Sequence, residues 1–357
     1  METTGSDIPT FAVLSRYRGV LMGVQTILIM AFHHAEDLSN DDRLHGVWRL
    51  VYKYIGSSGV DVFLLLSGLG LYFSWMKNPD RNRFYSRRFV RVLVPYAMVA
   101  LIGWSWLDLW HDRTGLGTFV EDITFLSFFL HGDRWFWYIL VSLACYALFP
   151  YVFAAIHSAR DHVEEWFRTL YMCGMGVFTV VLLEQYANDL YANVSIMLNR
   201  IPMFILGCLV GRMAYERRAL SVRAVSVGFL LTAFLLYPLQ MVDARILHVY
   251  LSALFNLFSC LVVVLALGAL SARGGTSVRR IHDALCRVLS WFGRYSLELY
   301  LLHVMIRKML ILHGLSTAMP RNEVLLVALS LALAVPFKQL AALIQKPLLE
   351  RHVSLPA

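Results

Sequence analysis

The 357-residue chain has little charge. Asp, Glu, Lys and Arg make up 16% of it, against 58% hydrophobic residues. That excludes an ordinary soluble fold, in which about a quarter of residues are charged. No polar stretch between the apolar runs is long enough for a separate soluble domain, so residues 1–357 are expected to form one domain. No internal repeat and no low-complexity segment is visible. Cysteine is scarce and odd in number: Cys145, Cys173, Cys208, Cys260 and Cys286 show no metal-ligand spacing and read as small core residues, so no metal site is expected. The first apolar run follows Arg16 and Arg18 without a small-residue cleavage site behind it, and is expected to stay in the membrane as an anchor.

Runs of roughly 18–25 apolar residues recur instead, each long enough to cross a hydrocarbon core of about 30 Å. They predict an all-α, polytopic membrane bundle of about ten spans: 19–36, 56–76, 89–110, 135–157, 168–187, 194–214, 220–240, 246–271, 289–313 and 322–345. The stretch 117–131 is amphipathic and short, and reads as interfacial or re-entrant. The net charge of +8 is not a nucleic-acid signal. Lys and Arg gather in alternate segments (77–91, 212–223, 273–294), as the positive-inside rule places them, which puts both termini in the cytoplasm. Trp and Tyr near many span ends fit an aromatic belt. The acidic loop 36–55 reads as solvated, or as part of an acceptor site.

The chain is organised around 56–96, GSSGVDVFLLLSGLGLYFSWMKNPDRNRFYSRRFVRVLVPY. It reads as a helical hairpin with one buried acid, Asp61, and a cationic turn and helix start: Lys77, Arg81, Arg83, then Arg87, Arg88 and Arg91. An ionisable residue in a span faces the bundle interior or a wet cavity. Span one ends in His33 and His34. Span nine carries Ser296, Tyr300, His303 and Arg307 at helical spacing on one face, with Glu298 off that stripe and expected to pair with Arg294. At 1.5 Å per residue, His33, Asp61 and His303 reach one level slightly outside the midplane. That convergence predicts a buried polar chamber. The three arginines would each cost about 2.5–3.5 kcal/mol at a helix centre, so they belong at the interface or on an anion. Phosphates at the inner face and a reactive tip at the histidines would suit acyl-CoA.

GVDVFLLLSG followed by FYSRRFVRVLVPY resembles the second and third membrane segments of the acyltransferase-3 family, integral-membrane enzymes that move acyl groups, mostly from acyl-CoA, onto sugars and other acceptors. Span nine resembles that family's late Ser-x-x-x-Tyr-Leu-x-His segment through Ser296, Tyr300, Leu301 and His303. Span four, RWFWYILVSLACYALFPY, resembles its Trp-Phe segment. There Trp137 and Tyr146 match the ends of a pattern seen in some sugar-modifying members, but Ser142 and Leu143 stand in the acidic positions, which argues for a different subfamily. The family pattern also pairs an arginine with a histidine eleven residues later. His33 takes the histidine position, Met22 stands where the arginine belongs, and Arg18, one turn earlier, is the expected substitute.

The resemblance implies His33 as general base, with His34 its rival, and His303 beside it in a role left open. It implies Arg87, Arg88 and Arg91 on the CoA phosphates, and Arg18, Ser296, Tyr300 and His34 as further substrate contacts. Acyl-CoA is then a co-substrate and no cofactor is needed. The acceptor is a glycan or lipid-linked hydroxyl, the acyl group is expected to be acetyl, and the location is the bacterial inner membrane. Other readings stand beside these. Asp61 is expected in the catalytic site, orienting a histidine or holding the acceptor hydroxyl, and is alternatively a polar anchor between helices; His33 is alternatively a satisfied core histidine, and the arginines anchors to anionic lipid headgroups. The whole bundle is alternatively a transporter or polysaccharide exporter, or a sensing protein without chemistry. The rivals are separated by whether the protein cleaves acyl-CoA.

Overall fold

The structure, a computed structural model, describes residues 8–55, 58–239 and 245–351. About 86% of the described residues are helical, and no strand forms among them. In order, the helices are α1 (Ala12–Arg16), α2 (Arg18–Asn40), α3 (Gly46–Ile55), α4 (Ser58–Lys77), α5 (Arg81–Trp104, continued by a π-helical turn Ser105–His111), α6 (Leu116–Ile123), α7 (Leu126–His131), α8 (Trp137–His157), α9 (His162–Tyr186), α10 (Asn188–Leu198), α11 (Ile201–Tyr215), α12 (Val222–Leu239), α13 (Arg245–Arg273), α14 (Thr276–Arg294), α15 (Ser296–Leu312) and α16 (Pro320–Arg351).

Among the described residues, seven helical stretches are long and apolar enough to cross a membrane: 59–77, 81–111, 137–157, 162–186, 188–215, 246–273 and 320–350. Three of the ten expected spans fall outside this set for physical reasons. The first, α2, carries Gln25, Thr26, His33, His34 and Glu36 along its length. The seventh is an apolar helix of shorter described length, Val222–Leu236. The ninth is broken. Tyr295 leaves the helical region (φ −106°, ψ 12°), so α14 ends there and α15 begins as a separate helix of 17 residues. The break also undoes the expected Arg294–Glu298 pair, because the two residues no longer share one helix. Glu298 instead lies 3.2 Å from the Lys338 ammonium of α16. The stretch 117–131 forms two short helices hinged at Phe125, which has a positive φ of 64°. They lie against α5, where the Tyr96 hydroxyl donates to the carbonyls of Asp122 (3.3 Å) and Ile123 (3.0 Å).

Close packing along α2 positions the site. α2 and α14 run side by side at Gly23 and Gly293. A methyl group on Gly23 would lie 1.8 Å from the Leu289 carbonyl oxygen, so a side chain there would force the helices apart. Leu14, Val20, Leu21, Leu65, Leu66 and Leu69 form the apolar core beside this seam, joining α1, α2 and α4.

Candidate active site

A cavity of about 1450 Å³ follows α2 from Arg18 to Asn40. At 1.5 Å per residue that path is roughly 33 Å long, comparable to a bilayer's hydrocarbon core. Arg18, Arg88 and Arg91 line one end, and Glu36, Asp37 and Arg307 line the other. His33 and His303 lie between them.

The two imidazoles stack with ring centroids 5.4 Å apart and planes 15° from parallel. His303 is 1% exposed. Both of its ring nitrogens, and Nδ1 of His33, are buried without a hydrogen-bond partner among the described residues. Leaving a buried polar atom unsatisfied costs about 1–3 kcal/mol. Three such nitrogens at one cavity leave hydrogen-bonding capacity that a ligand or bound water would fill.

The stacking follows from a parallel register between α2 and the α14–α15 pair. Gly23 meets Gly293, His33 meets His303, and Asp37 meets Arg307, each pair 270 positions apart. The last pair locks the register. Arg307 Nε donates to Asp37 Oδ2 at 2.9 Å and Oδ1 at 3.2 Å, and its terminal nitrogen reaches Glu36 Oε2 at 2.8 Å. The Thr317 hydroxyl donates to the same Asp37 carboxylate. One turn before the histidines' partner on α15, the Tyr300 hydroxyl donates to the Trp135 carbonyl at 3.2 Å. Ser296, Tyr300, His303 and Arg307 all line the cavity.

At the arginine end, Gly70 makes room for Arg18. A Cβ there would lie 2.6 Å from the guanidinium carbon. Arg88 donates to the Ser74 hydroxyl at 2.8 Å. No ion pair involves Arg18, Arg88 or Arg91 among the described residues, and Arg18 Nε is buried without an acceptor. Three guanidinium groups without a carboxylate in one cavity wall form a place for a multiply charged anion.

A family profile described as an acyltransferase domain matches residues 22–342. The chain belongs to the acyltransferase-3 family. No curated protein and no solved structure matches it. As a member of this acyltransferase family whose helices are long and apolar enough to span, it is an integral, multi-pass membrane protein.

Not every residue expected at the acyltransferase site lies there. Asp61 does not line the cavity. It is fully buried, with Arg200 Nη1 2.7 Å and Asn256 Nδ2 3.3 Å from its Oδ2, and so ties α4 to the start of α11 and to α13. The depth estimate located its level but not the face of α4 it occupies, and its partner Arg200 is the one that reaches the cavity wall. His34 points away from the cavity. Its Nδ1 lies 3.1 Å from the Thr317 carbonyl and 3.6 Å from Glu323, and Trp48 packs edge-on against its ring at 4.7 Å. Adjacent helix positions diverge by about 100°, so His33 and His34 cannot both face inward. Arg87 is exposed and outside the lining, while Arg88 and Arg91 belong to it. Met22 lines the cavity one turn above Arg18, whose longer side chain supplies the charge.

The sequence reading missed Asp37 as the partner of Arg307. The signal was present: Asp37 follows His33 by four residues, as Arg307 follows His303.

Proposed function

We propose that the protein transfers an acyl group, with acetyl the expected one, from acyl-CoA to a hydroxyl of a glycan or another exported or lipid-linked acceptor. The observation that carries this reading is the pair of stacked, unpartnered histidines part-way along a cavity whose one end holds three arginines without counter-ions. Arg18, Arg88 and Arg91 hold the CoA phosphates. From Arg18 to His33 the path along α2 is about 22 Å, a reach suited to an extended pantetheine arm that carries the thioester to the histidines. The acceptor enters from the end lined by Glu36, Asp37 and Arg307.

In this mechanism His33 takes the proton of the acceptor hydroxyl as its oxygen attacks the thioester carbonyl. The N–H of His303 donates to the oxyanion that develops. Collapse expels the CoA thiolate, which takes the proton back from His33, so no net proton is stored. Asp61 acts as an anchor between helices, and Ser296 and Tyr300 shape the wall beside the thioester. Residues 1–357 work as one membrane-embedded domain of the bacterial inner membrane, both termini and the arginine end on the cytoplasmic side.

The test is acyl-CoA cleavage by purified protein in detergent, with and without a hydroxyl acceptor. Wild type should release CoA, and His33→Ala should not. The cavity runs nearly the length of α2, which also suits a permeant. A transporter would move solute across sealed vesicles with no bond cleavage, and that result would replace this reading.

A further inference from the structure

Four of the five cysteines lie in the apolar stretches 137–157, 162–186, 188–215 and 246–273. Cys286 does not. It sits half-buried on α14, an amphipathic helix outside the seven candidate spans. One turn earlier on the same helix, His282 turns its ring toward it, with Cys286 Sγ 3.5 Å from Nε2. The other ring nitrogen, Nδ1, lies 2.9 Å from the Asp283 carboxylate. The Tyr17 hydroxyl is 3.2 Å from Nε2 and also 3.2 Å from the Leu267 carbonyl. With Tyr17 donating to Leu267 and Nδ1–H donating to Asp283, the lone pair of Nε2 is left to accept from the thiol, and the Tyr17 oxygen stands beside it at 3.2 Å with no proton between the two. This is the order nucleophile, base, orienting acid.

The thiol opens on a second, shallow cavity of about 510 Å³, an open groove whose lining residues Asp283, Cys286, Arg287, Ser290, Trp291 and Arg294 all belong to α14. Ser290 and Arg294 also line the larger cavity, so the two adjoin at its arginine end. Arg287 and Arg294 form no ion pair among the described residues. Arg287 donates from Nε to the Asp283 carbonyl at 3.3 Å, and two guanidinium groups without a carboxylate partner beside an indole face suit a phosphorylated nucleotide. On the outer side of α14, Ile281, Leu285 and Val288 are exposed at helical spacing, an apolar stripe next to Arg279 and Arg280.

We propose that Cys286 is an acyl-acceptor site, taking an acyl group from an acyl-CoA thioester with His282 as base and Asp283 as its positioning residue. The sulfur attacks the thioester carbonyl as Nε2 of His282 takes the thiol proton. The carbon–sulfur bond to CoA breaks, and the CoA thiolate recovers that proton from the imidazolium. Acyl-CoA and a thiol become an S-acyl cysteine and CoA, with no change in oxidation state. Burial and the Asp283 carboxylate raise the Cys286 thiol above its ordinary pKa, outweighing Arg16, so the resting group is the neutral thiol and depends on the base. The acyl group then occupies the smaller cavity, beside the two residues it shares with the larger one. The choice of acyl-CoA as donor rests on the proposed function above; the thiol–imidazole–carboxylate geometry does not.

The experiment incubates the full chain in detergent with radiolabelled acetyl-CoA and no added acceptor, then maps hydroxylamine-labile label to peptides. CoA release is measured in the same samples. The label should appear on the peptide carrying Cys286 and vanish in Cys286→Ser. His282→Gln should slow labelling by about 100-fold, the range of general-base catalysis, and Asp283→Asn should slow it less, with Asp283→Glu recovering part of the rate. Alkylation of Cys286 by iodoacetamide supplies a readout that needs no acyl-CoA. His282→Gln should abolish the component of its pH profile that follows imidazole ionisation. Absence of label on Cys286 in a preparation that releases CoA overturns the proposal, as does equal labelling of wild type and His282→Gln. Label on Cys286 without His33-dependent transfer to a hydroxyl acceptor would leave this inference standing and remove the function proposed above.

Discussion

In the proposed function, individual side chains divide the cavity's work between charge and proton transfer. Arg88 and Arg91 reach the cavity wall, whereas Arg87, in the same RRFVR run, is exposed beyond it. A hydrogen bond to a charged group contributes about 1.5–3 kcal/mol, so Arg88→Ala should raise the KM for acyl-CoA by roughly 10- to 100-fold with kcat little changed. Arg87→Ala should leave KM near the wild-type value. Steady-state kinetics on both variants checks this, and equal KM effects would move the phosphates to another site. The arginine cluster was legible because three arginines stand together in the RRFVR run that opens an apolar stretch. Which of the three faces inward was not, since that depends on how α5 rotates against α2 and α4. The same limit misplaced His34. Its chemistry matches that of His33, and only the seam between α2 and α15 separates the two.

Helix pairing determines how the two histidines meet. The Asp37–Arg307 pair sits four residues above the stacked rings on both helices and carries a second carboxylate and a threonine hydroxyl. Removing one partner of a buried ion pair costs about 3–5 kcal/mol, because the other is left uncompensated. Asp37→Asn and Arg307→Gln should each lower kcat at least tenfold with KM for acyl-CoA unchanged, since the arginine end lies about 28 Å away along α2. The exchanged double variant Asp37→Arg with Arg307→Asp should recover part of that loss, as a double-mutant cycle on stability and kcat would show. Additive losses would mean that the pair does not hold the register. The face Ser296–Tyr300–His303–Arg307 was visible in the sequence through its spacing alone. The break at Tyr295 was not, because the nearby Gly293 reads equally as a close-packing position within one helix. Asp61 shows the same division. Its burial was expected from its place in an apolar run, but its partners Arg200 and Asn256 are 139 and 195 residues away.

For the molecule as a whole, the helical membrane class was evident because the apolar runs of roughly 18–25 residues have the length of transmembrane helices, twice that of barrel strands. The span count was less legible. α2 carries polar residues where it walls the cavity, and this helix, the one that runs along the site, falls outside the seven candidate spans. A cavity that reaches both Arg18 and Asn40 should admit water along its length. Single cysteines at Asn40 and Arg294, in a background with the native cysteines replaced, should react with a membrane-impermeant maleimide from opposite faces of sealed vesicles. Labelling of both from one face would contradict the arrangement. The most direct measurement is CoA release by purified His33→Ala and Arg88→Ala proteins across a range of acetyl-CoA concentrations. The account predicts a His33→Ala protein that stays folded and binds acetyl-CoA but releases CoA at least about 100-fold more slowly, and an Arg88→Ala protein impaired mainly in KM. CoA release by His33→Ala at the wild-type rate would contradict it.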